Sequence, residues 1–266
     1  MAHTDYATAT STRVSTAATI LSKFCRAPAE PDTAIPGVVY ELDNAFELLQ
    51  RAFPNFEQRI ANKVVIDFGS GLGYQSIACA RAGAKRVIGV VSDPARLDAA
   101  RQLLQTMPEL KEKVSFVAEV PANTSANLIF CQNAFEHFLD PAAVIKVMSQ
   151  SLAPNGRILI GFGPPWWAPT GAHMHYFCKI PWVQLFFSEK TIMQVRSLYR
   201  DDGYQTYAEA GLGQLSIAKF ERVISRSNLD CRDIKYRCIK GLDFLQRTPL
   251  RELFINYARC ELRKPL

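Results

Sequence analysis

The stretch from Val64 to Asp93 constrains the fold of this chain more than any other part of the sequence. It reads VVIDFGSGLGYQSIACARAGAKRVIGVVSD, which predicts an apolar strand, a glycine-rich turn, a helix and a second apolar strand. Gly69, Gly71 and Gly73 alternate with other residues in the turn, and each glycine lets the backbone approach a ligand where a Cβ atom would collide. The pattern therefore predicts a βαβ unit with a small molecule over the turn, with a tight turn that binds nothing as the alternative.

The spacing of these glycines distinguishes two classes of ligand. The dinucleotide fingerprint G-x-G-x-x-G would place its third glycine at position 74, which is Tyr74. A nicotinamide dehydrogenase is therefore disfavoured, although the predicted fold alone would allow it.

The turn resembles the first motif of class I S-adenosylmethionine (SAM) methyltransferases. The resemblance rests on an acid, Asp67, followed by alternating glycines directly after a buried strand. It implies that the turn wraps the methionine end of SAM and that Asp67 holds the SAM amino group directly or through water. The implied cofactor is S-adenosylmethionine, with S-adenosylhomocysteine as product, and the implied binding residues in the turn are Asp67, Gly69, Ser70, Gly71 and Gly73.

The chain departs from this family at the end of the second strand. The family usually carries an acid there to hold the ribose hydroxyls, but the sequence Gly89-Val90-Val91 ends in valine. Asp93 stands two residues later and is a candidate substitute. Asp93 followed by proline is also a typical helix start, with the aspartate as N-cap, so both roles stay open.

Further candidates follow the third and fourth predicted strands, Val114 to Val117 and Asn127 to Cys131. Glu119 is the nearest match to the group that the family places near the adenine, and an exposed loop acid is the alternative. Residues 132–137 resemble the loop of the family that faces SAM and the substrate, with Asn133 as a cofactor contact and His137 as a catalytic candidate. His137 could equally fix the loop without taking part in catalysis.

The segment from Pro164 to Phe187 is rich in aromatic residues. It reads PPWWAPTGAHMHYFCKIPWVQLFF and contains every tryptophan of the chain. Its many aromatic residues directly follow the fifth predicted strand, Arg157 to Gly163. This arrangement predicts a lid or substrate pocket over residues 164–188, with a satellite core as the alternative. The candidate substrate contacts are Trp166, Trp167, Tyr176 and Trp182.

His173 and His175 lie in the same segment. If the backbone were extended, both imidazoles would lie on one side with the spacing of a metal pair, yet no further His or Cys ligand stands beside them, so no metal is expected. A catalytic role as general base is more plausible, because the pKa of histidine lies near neutrality.

The order of elements predicts the fold class and the domain organisation. Alternating strands and helices through five strands indicate an α/β doubly wound sheet, and the resemblance implies a mostly parallel, seven-stranded, Rossmann-like one. At 266 residues and 48% hydrophobic content, the chain can bury a sizeable core as one domain over residues 31–266. Residues 1–30 are rich in Thr, Ser and Ala and predict a flexible tail, within which Ile20, Leu21 and Phe24 could form a short amphipathic piece over the cofactor.

Composition limits the location and the partners. The seven cysteines are widely spread without C-x-x-C spacing, which is typical of reduced thiols in a cytoplasmic protein. No apolar run reaches the ~18 residues that span a bilayer, so no stable membrane insertion is expected. The chain has a net charge of +6 but no long cationic run of the kind found in nucleic-acid-binding tails. Residues 132–135 also lack the prolines of a base-flipping loop, so a nucleic-acid substrate is not expected.

These patterns favour a SAM-dependent methyltransferase that acts on a small molecule or saccharide at oxygen. The saccharide interpretation comes from PPWW, GAHMHYF, IPW and Leu250 to Phe254, which resemble a bacterial branch associated with surface glycans. A non-catalytic SAM-binding partner is the main alternative, supported by Val91. The sequence leaves the oligomeric state open.

Overall fold

The computed structural model describes residues 14–26 and 41–265. Within these ranges, seven strands form one sheet in the order β3-β2-β1-β4-β5-β7-β6. Their bounds are β1 Val64–Phe68, β2 Arg86–Val90, β3 Val114–Val117, β4 Ala126–Gln132, β5 Leu152–Phe162, β6 Asp230–Cys238 and β7 Ile255–Arg263. The first five strands run parallel, and β7 pairs antiparallel with both β5 and β6. The predicted doubly wound, mostly parallel, seven-stranded sheet is confirmed.

The helices of the described residues flank this sheet or join its strands. They are α1 Thr16–Ser22, α2 Ala45–Ala52, α3 Phe56–Ile60, α4 Tyr74–Arg81, α5 Pro94–Gln105, α6 Pro141–Gln150, α7 Val183–Phe186, α8 Glu189–Arg196, α9 Ile217–Ser225 and α10 Arg251–Phe254. Side-chain oxygens cap several of them. Asp93 accepts from Arg96 N, Asp140 from Ala142 N and Ala143 N, and Ser188 from Thr191 N, as their sequences predict.

Successive residues of the central strands pack on opposite faces of the sheet. In β4, Leu128 and Phe130 join a cluster with α2 to α5, whereas Ile129 and Cys131 join a cluster with α6 and α9. Side chains of a strand alternate in this way with a period of two, so a strand that is apolar at every position must be covered on both faces. The continuous apolar run therefore explains why helices cover both faces.

A third cluster joins the N-terminal helix to residues 164–188. Ser15 caps α1, whose Ala18 and Leu21 are buried together with Trp166 and Phe177 of the insertion, whereas Ile20 and Phe24 are exposed. The helix thus packs on the insertion and on α8 through the face that carries Ala18 and Leu21. Residues 1–13 and 27–30 of the predicted tail lie outside the described residues.

Two details of the sheet differ from the sequence pattern. β5 begins at Leu152, because Ala126 pairs with Leu152 before the register shifts. The sequence Pro154-Asn155-Gly156, which is typical of a turn, therefore lies inside the strand as an irregularity. β7 was not predicted. Its residues alternate between buried and half-buried, and only pairing with two neighbours places it between β5 and β6.

An ion pair between a buried arginine and a more exposed aspartate stabilises the segment after α8. The Arg196 side chain is 6% exposed, and its guanidinium contacts both carboxylate oxygens of Asp202, each at 2.5 Å. The hydrogen bond from Arg196 is the largest cause that lowers the pKa of Asp202. The pair is bidentate, which is the stronger geometry for such a contact.

We predict that Asp202→Asn lowers the free energy of unfolding by about 2–3 kcal/mol at neutral pH, because it leaves a buried guanidinium without its anion. Since the folded state lowers the pKa of Asp202, its contribution is present above the unfolded pKa and is lost as the pH falls through the folded pKa. Urea unfolding at neutral and acid pH measures both effects. The exposed neighbour provides the control Asp201→Asn, and an equal loss in both variants, or a pH-independent difference, would contradict this assignment.

Candidate functional site

The glycine turn joins β1 to α4 at the carboxyl end of the sheet. Gly69, Gly71 and Gly73 have φ values of +87°, +54° and +85°, where side chains other than glycine are strained. A Cβ atom at Gly69 would lie 2.5 Å from the Ala134 Cβ, and one at Gly73 would lie 2.4 Å from the Phe116 ring. A Cβ atom at Gly71 would meet no atom of the described residues within 4 Å. Packing thus requires the outer two glycines, and the middle one faces open space where a ligand can approach.

Asp67 is buried in β1 directly before this turn. Its side chain is 2% exposed, and Ser76 Oγ of α4 donates a hydrogen bond of 2.7 Å to Asp67 Oδ2. Burial raises the pKa of Asp67 to about 7, although the bond from Ser76 opposes this shift. A cationic group placed beside Asp67 would favour its charged form.

The structure places the other predicted cofactor contacts around the neighbouring strands. Val91 is buried and its backbone N–H donates to Val117 O, which continues the pairing of β2 with β3. Asp93 is exposed and accepts from Arg96 N at 2.8 Å, so it has the capping contact, while its ribose role stays a prediction. Glu119 is exposed after β3, and its adenine role likewise stays a prediction.

The loop after β4 brings polar residues against the loop after β5. Asn133 has a φ of +52°, and its N–H donates to Gly161 O at 2.7 Å. His137 Nδ1 lies 3.1 Å from Gly211 O, and the His137 ring meets the His173 ring edge-on with centroids 5.0 Å apart. His137 and His173 are therefore neighbours in space, and their catalytic roles stay predictions.

Glu136 was not among the residues predicted from the sequence. Its side chain is 4% exposed, and one carboxyl oxygen, Oε1, accepts from Gly163 N at 3.2 Å. The other oxygen, Oε2, is buried and has no hydrogen-bond partner within residues 14–26 and 41–265. Burial raises the pKa of Glu136 to about 8. The one sequence signal was its place beside His137 in the loop after β4.

Glu136 and His173 line the same crevice. Its other walls include Trp166, Leu212 and Gln214, and it is too narrow to admit a water molecule. Nε2 of His173 lies 3.3 Å from Pro164 O, while Nδ1 is buried without a hydrogen-bond partner among the described residues. Burial, and next the charge of His137, lower the pKa of His173 to about 3. In this conformation His173 is a neutral hydrogen-bonding group and a weak base.

His175 lines a different crevice. The backbone is not extended at this point, since His173 has a φ of +55° and Cys178 N donates to Met174 O across a turn. The space at His175 is bounded instead by residues such as Pro169, Met174 and Val183. The two imidazoles therefore line different crevices, although the charge of His175 still contributes to lowering the pKa of His173.

The aromatic residues of the insertion are likewise divided. Trp166 is buried against Tyr207 and is the member of the predicted substrate set that lines the crevice with Glu136. Trp167 is 37% exposed beside it. Trp182 donates to Leu253 O, and the Tyr176 ring lies under the Arg200 guanidinium at 4.8 Å. The substrate roles of all four stay predictions.

Within residues 14–26 and 41–265, no group of three or more His, Cys, Asp or Glu side chains is arranged to hold a metal ion. Within the part of the chain that the structure describes, no helix is both long and apolar enough to cross a membrane.

Part of this chain is similar in sequence to known methyltransferases. Residues 66–160, from β1 to β5, match the family described as a methyltransferase domain. An uncharacterized methyltransferase of Mycobacteroides abscessus is 30% identical over 125 residues, which cover 44% of this chain and 48% of that protein. A ubiquinone biosynthesis O-methyltransferase of Stutzerimonas stutzeri is 34% identical over 104 residues, covering 37% of this chain and 44% of that protein. The chain thus spans less than half the length of these curated relatives.

The fold has counterparts among solved structures. A putative S-adenosylmethionine dependent methyltransferase from Listeria monocytogenes superposes with a TM-score of 0.54 at 15% identity, over 85% of this chain and 100% of that chain. The likeness shows a shared fold, and the domain match places the glycine turn and the loop after β4 inside the shared region. Residues 66–160 are therefore similar to a methyltransferase domain, and the chain shares the Rossmann-like fold of this methyltransferase structure, which supports S-adenosylmethionine as the cofactor.

Proposed function

We propose that this protein is a SAM-dependent methyltransferase that transfers a methyl group to a hydroxyl oxygen of a small molecule or saccharide. The observation that carries the proposal is the open approach at Gly71, on the same edge of the sheet as the crevice of Glu136 and His173. The carboxyl ends of parallel strands are where such sheets bind ligands. A methyl donor over the turn and an acceptor at the crevice would then lie side by side.

The donor half of the proposal rests on Asp67 and Gly71. Asp67 is a buried carboxyl with a raised pKa, and the ammonium group of SAM would stabilise its charged form. Gly71 leaves room for the ligand because nothing among the described residues fills the space beyond it. Ser70, Asn133, Asp93 and Glu119 complete the proposed set of cofactor contacts around the turn.

The acceptor half rests on groups that can take a proton. The sulfonium of SAM makes the methyl group electrophilic, so the protein must align donor and acceptor and exclude water. A hydroxyl acceptor must also lose its proton, and His137, His173 and His175 are the candidates from the sequence. Glu136 joins them, because a pKa of about 8 makes its carboxylate a better proton acceptor near neutral pH than the buried His173. The name of the Stutzerimonas relative supports oxygen as the target.

The aromatic insertion supports a saccharide or similar small acceptor. Trp166 forms one wall of the crevice, and the partly exposed ring of Trp167 lies next to it at a centroid distance of 6.2 Å. Flat aromatic faces pack against the apolar faces of sugar rings. We propose that residues 164–188 act as a lid whose movement widens the crevice for the acceptor, with Tyr176 and Trp182 as further contacts.

One observation favours a second candidate function, a SAM-binding protein without catalytic activity. Val91 stands where the ribose acid is usual, and its buried side chain cannot accept a hydrogen bond. Formation of S-adenosylhomocysteine with any acceptor would exclude this alternative.

We predict that calorimetric titration detects binding of SAM and S-adenosylhomocysteine but not of NADH, and that Gly71→Arg abolishes it. The arginine would fill the open space over the turn without a clash in the described protein, so the fold is expected to survive with a loss of about 1 kcal/mol for the positive φ. Gly203→Arg is the matched control, because Gly203 also has a positive φ, +75°, and open surroundings. Equal SAM affinity in Gly71→Arg and the wild type would place the cofactor elsewhere.

We predict that His173→Ala and His175→Ala lose turnover while they keep their affinity for SAM. S-adenosylhomocysteine formation with a panel of monosaccharides and small phenols measures the first property, and calorimetry the second. Unchanged turnover in both variants would remove these histidines from the mechanism, and loss of SAM binding would assign them to the cofactor site.

We predict that Glu136 makes the protein less stable as the pH rises. Its pKa is raised from 4.5 to about 8 on folding, so between these values the native state binds more protons than the unfolded state, and the free energy of unfolding falls as the pH increases. The slope is on the order of 1 kcal/mol per pH unit. Glu136→Gln should reduce the slope in urea unfolding by this amount and leave the smaller contribution of Asp67, whose pKa is also raised, whereas the exposed control Glu112→Gln should retain the full slope. Identical slopes in all three proteins would show that Glu136 ionises normally.

A further inference from the structure

Two buried cysteines face each other where the N-terminal helix meets the aromatic insertion. Cys25, just after α1, and Cys178, within the insertion, form an isolated antiparallel bridge. Arg26 N donates to Phe177 O at 2.9 Å, one residue away from each cysteine. This pattern makes Cys25 and Cys178 a non-hydrogen-bonded pair, in which the Cα atoms are about 4.5 Å apart and the side chains are close.

The two side chains share one buried site. Cys25 and Cys178 belong to the same cluster of buried side chains, and Cys25 Sγ donates a hydrogen bond to Leu21 O at 3.3 Å. Both residues are buried, at 8% and 3% exposure. Burial, followed by the contact with Cys178, raises the pKa of Cys25 to about 12, so it stays a thiol at neutral pH.

The geometry suits a covalent bond. Disulfides join residues whose Cα atoms are roughly 4.4–6.8 Å apart, with the Cβ atoms directed toward each other, and a non-hydrogen-bonded antiparallel pair lies within this range. Cys131 and Cys260 lack this geometry. Both pair in register with Ile160 of β5, one from each side, so a whole strand lies between them. Of the described cysteines, Cys231 is the exposed one and lies in β6, remote from the bridge.

We propose that Cys25 and Cys178 form a reversible disulfide that covalently ties α1 to the aromatic insertion. In the reaction, a disulfide oxidant such as oxidised glutathione accepts two electrons and leaves as two thiols, while Cys25 and Cys178 lose their protons and form one S–S bond. The bond would close a loop that contains the whole parallel part of the sheet, β1 to β5, and would hold α1 against the insertion. This inference does not depend on the proposed methyl transfer.

The test is oxidation of the full-length protein with a glutathione redox buffer, followed by mass spectrometry of the intact and digested protein. The expected result is the loss of two hydrogen atoms, one linked peptide that contains Cys25 and Cys178, and full reversal by dithiothreitol. Cys25→Ser and Cys178→Ser should abolish the link, and Cys231→Ser should retain it. Because the raised pKa and the burial slow the reaction in the folded state, the experiment is repeated during refolding from urea in the same buffer.

Amide hydrogen exchange of residues 16–22 measures the proposed tie. Oxidation should slow their exchange on the order of tenfold, and Cys231→Ser should show the same slowing. Absence of the linked peptide under both conditions, or glutathione retained on Cys25 while Cys178 stays free, would overturn the proposed disulfide. A linked protein with unchanged exchange in α1 would overturn its role as a tie.

Discussion

The contact between Phe116 and two glycines is the constraint on which the site depends. The ring of Phe116, in β3, fills the space that a Cβ atom would need at Gly73 in the turn and at Gly89 in β2. It thereby fixes the turn against the second and third strands. Since Gly69 is fixed in the same way by Ala134, the backbone around Gly71 is held open by close packing on both sides rather than by flexibility.

Two buried acids distinguish the region around the glycine turn and the crevice from the rest of the core. Asp67 and Glu136 each lie at the carboxyl end of a parallel strand, and burial raises the pKa of both toward neutrality. A buried acid without a full set of partners costs stability, and this cost supports the proposed roles of Asp67 in binding the donor and of Glu136 in accepting a proton. His173 complements them, because the same burial lowers its pKa and keeps it neutral.

The N-terminal helix and the aromatic insertion form one packed unit outside the sheet. Ser15 binds Gln194 of α8 through its hydroxyl, and Leu21 is fully buried among side chains of the insertion. The segment that lines the crevice through Trp166 is therefore supported by residues far away in the chain. The position of α1 and that of the insertion thus depend on the same packed cluster.

The sequence by itself determined the βαβ unit, the glycine turn and the helix starts at Asp93, Asp140 and Ser188, because alternation, positive φ and capping are local properties of a few neighbouring residues. Only the tertiary structure decided the antiparallel place of β7, the burial of Glu136 against Gly163, the placement of His173 and His175 in different crevices, and the pairing of Cys25 with Cys178. Each of these depends on contacts between segments distant in the chain, and such contacts leave no periodic pattern in the sequence.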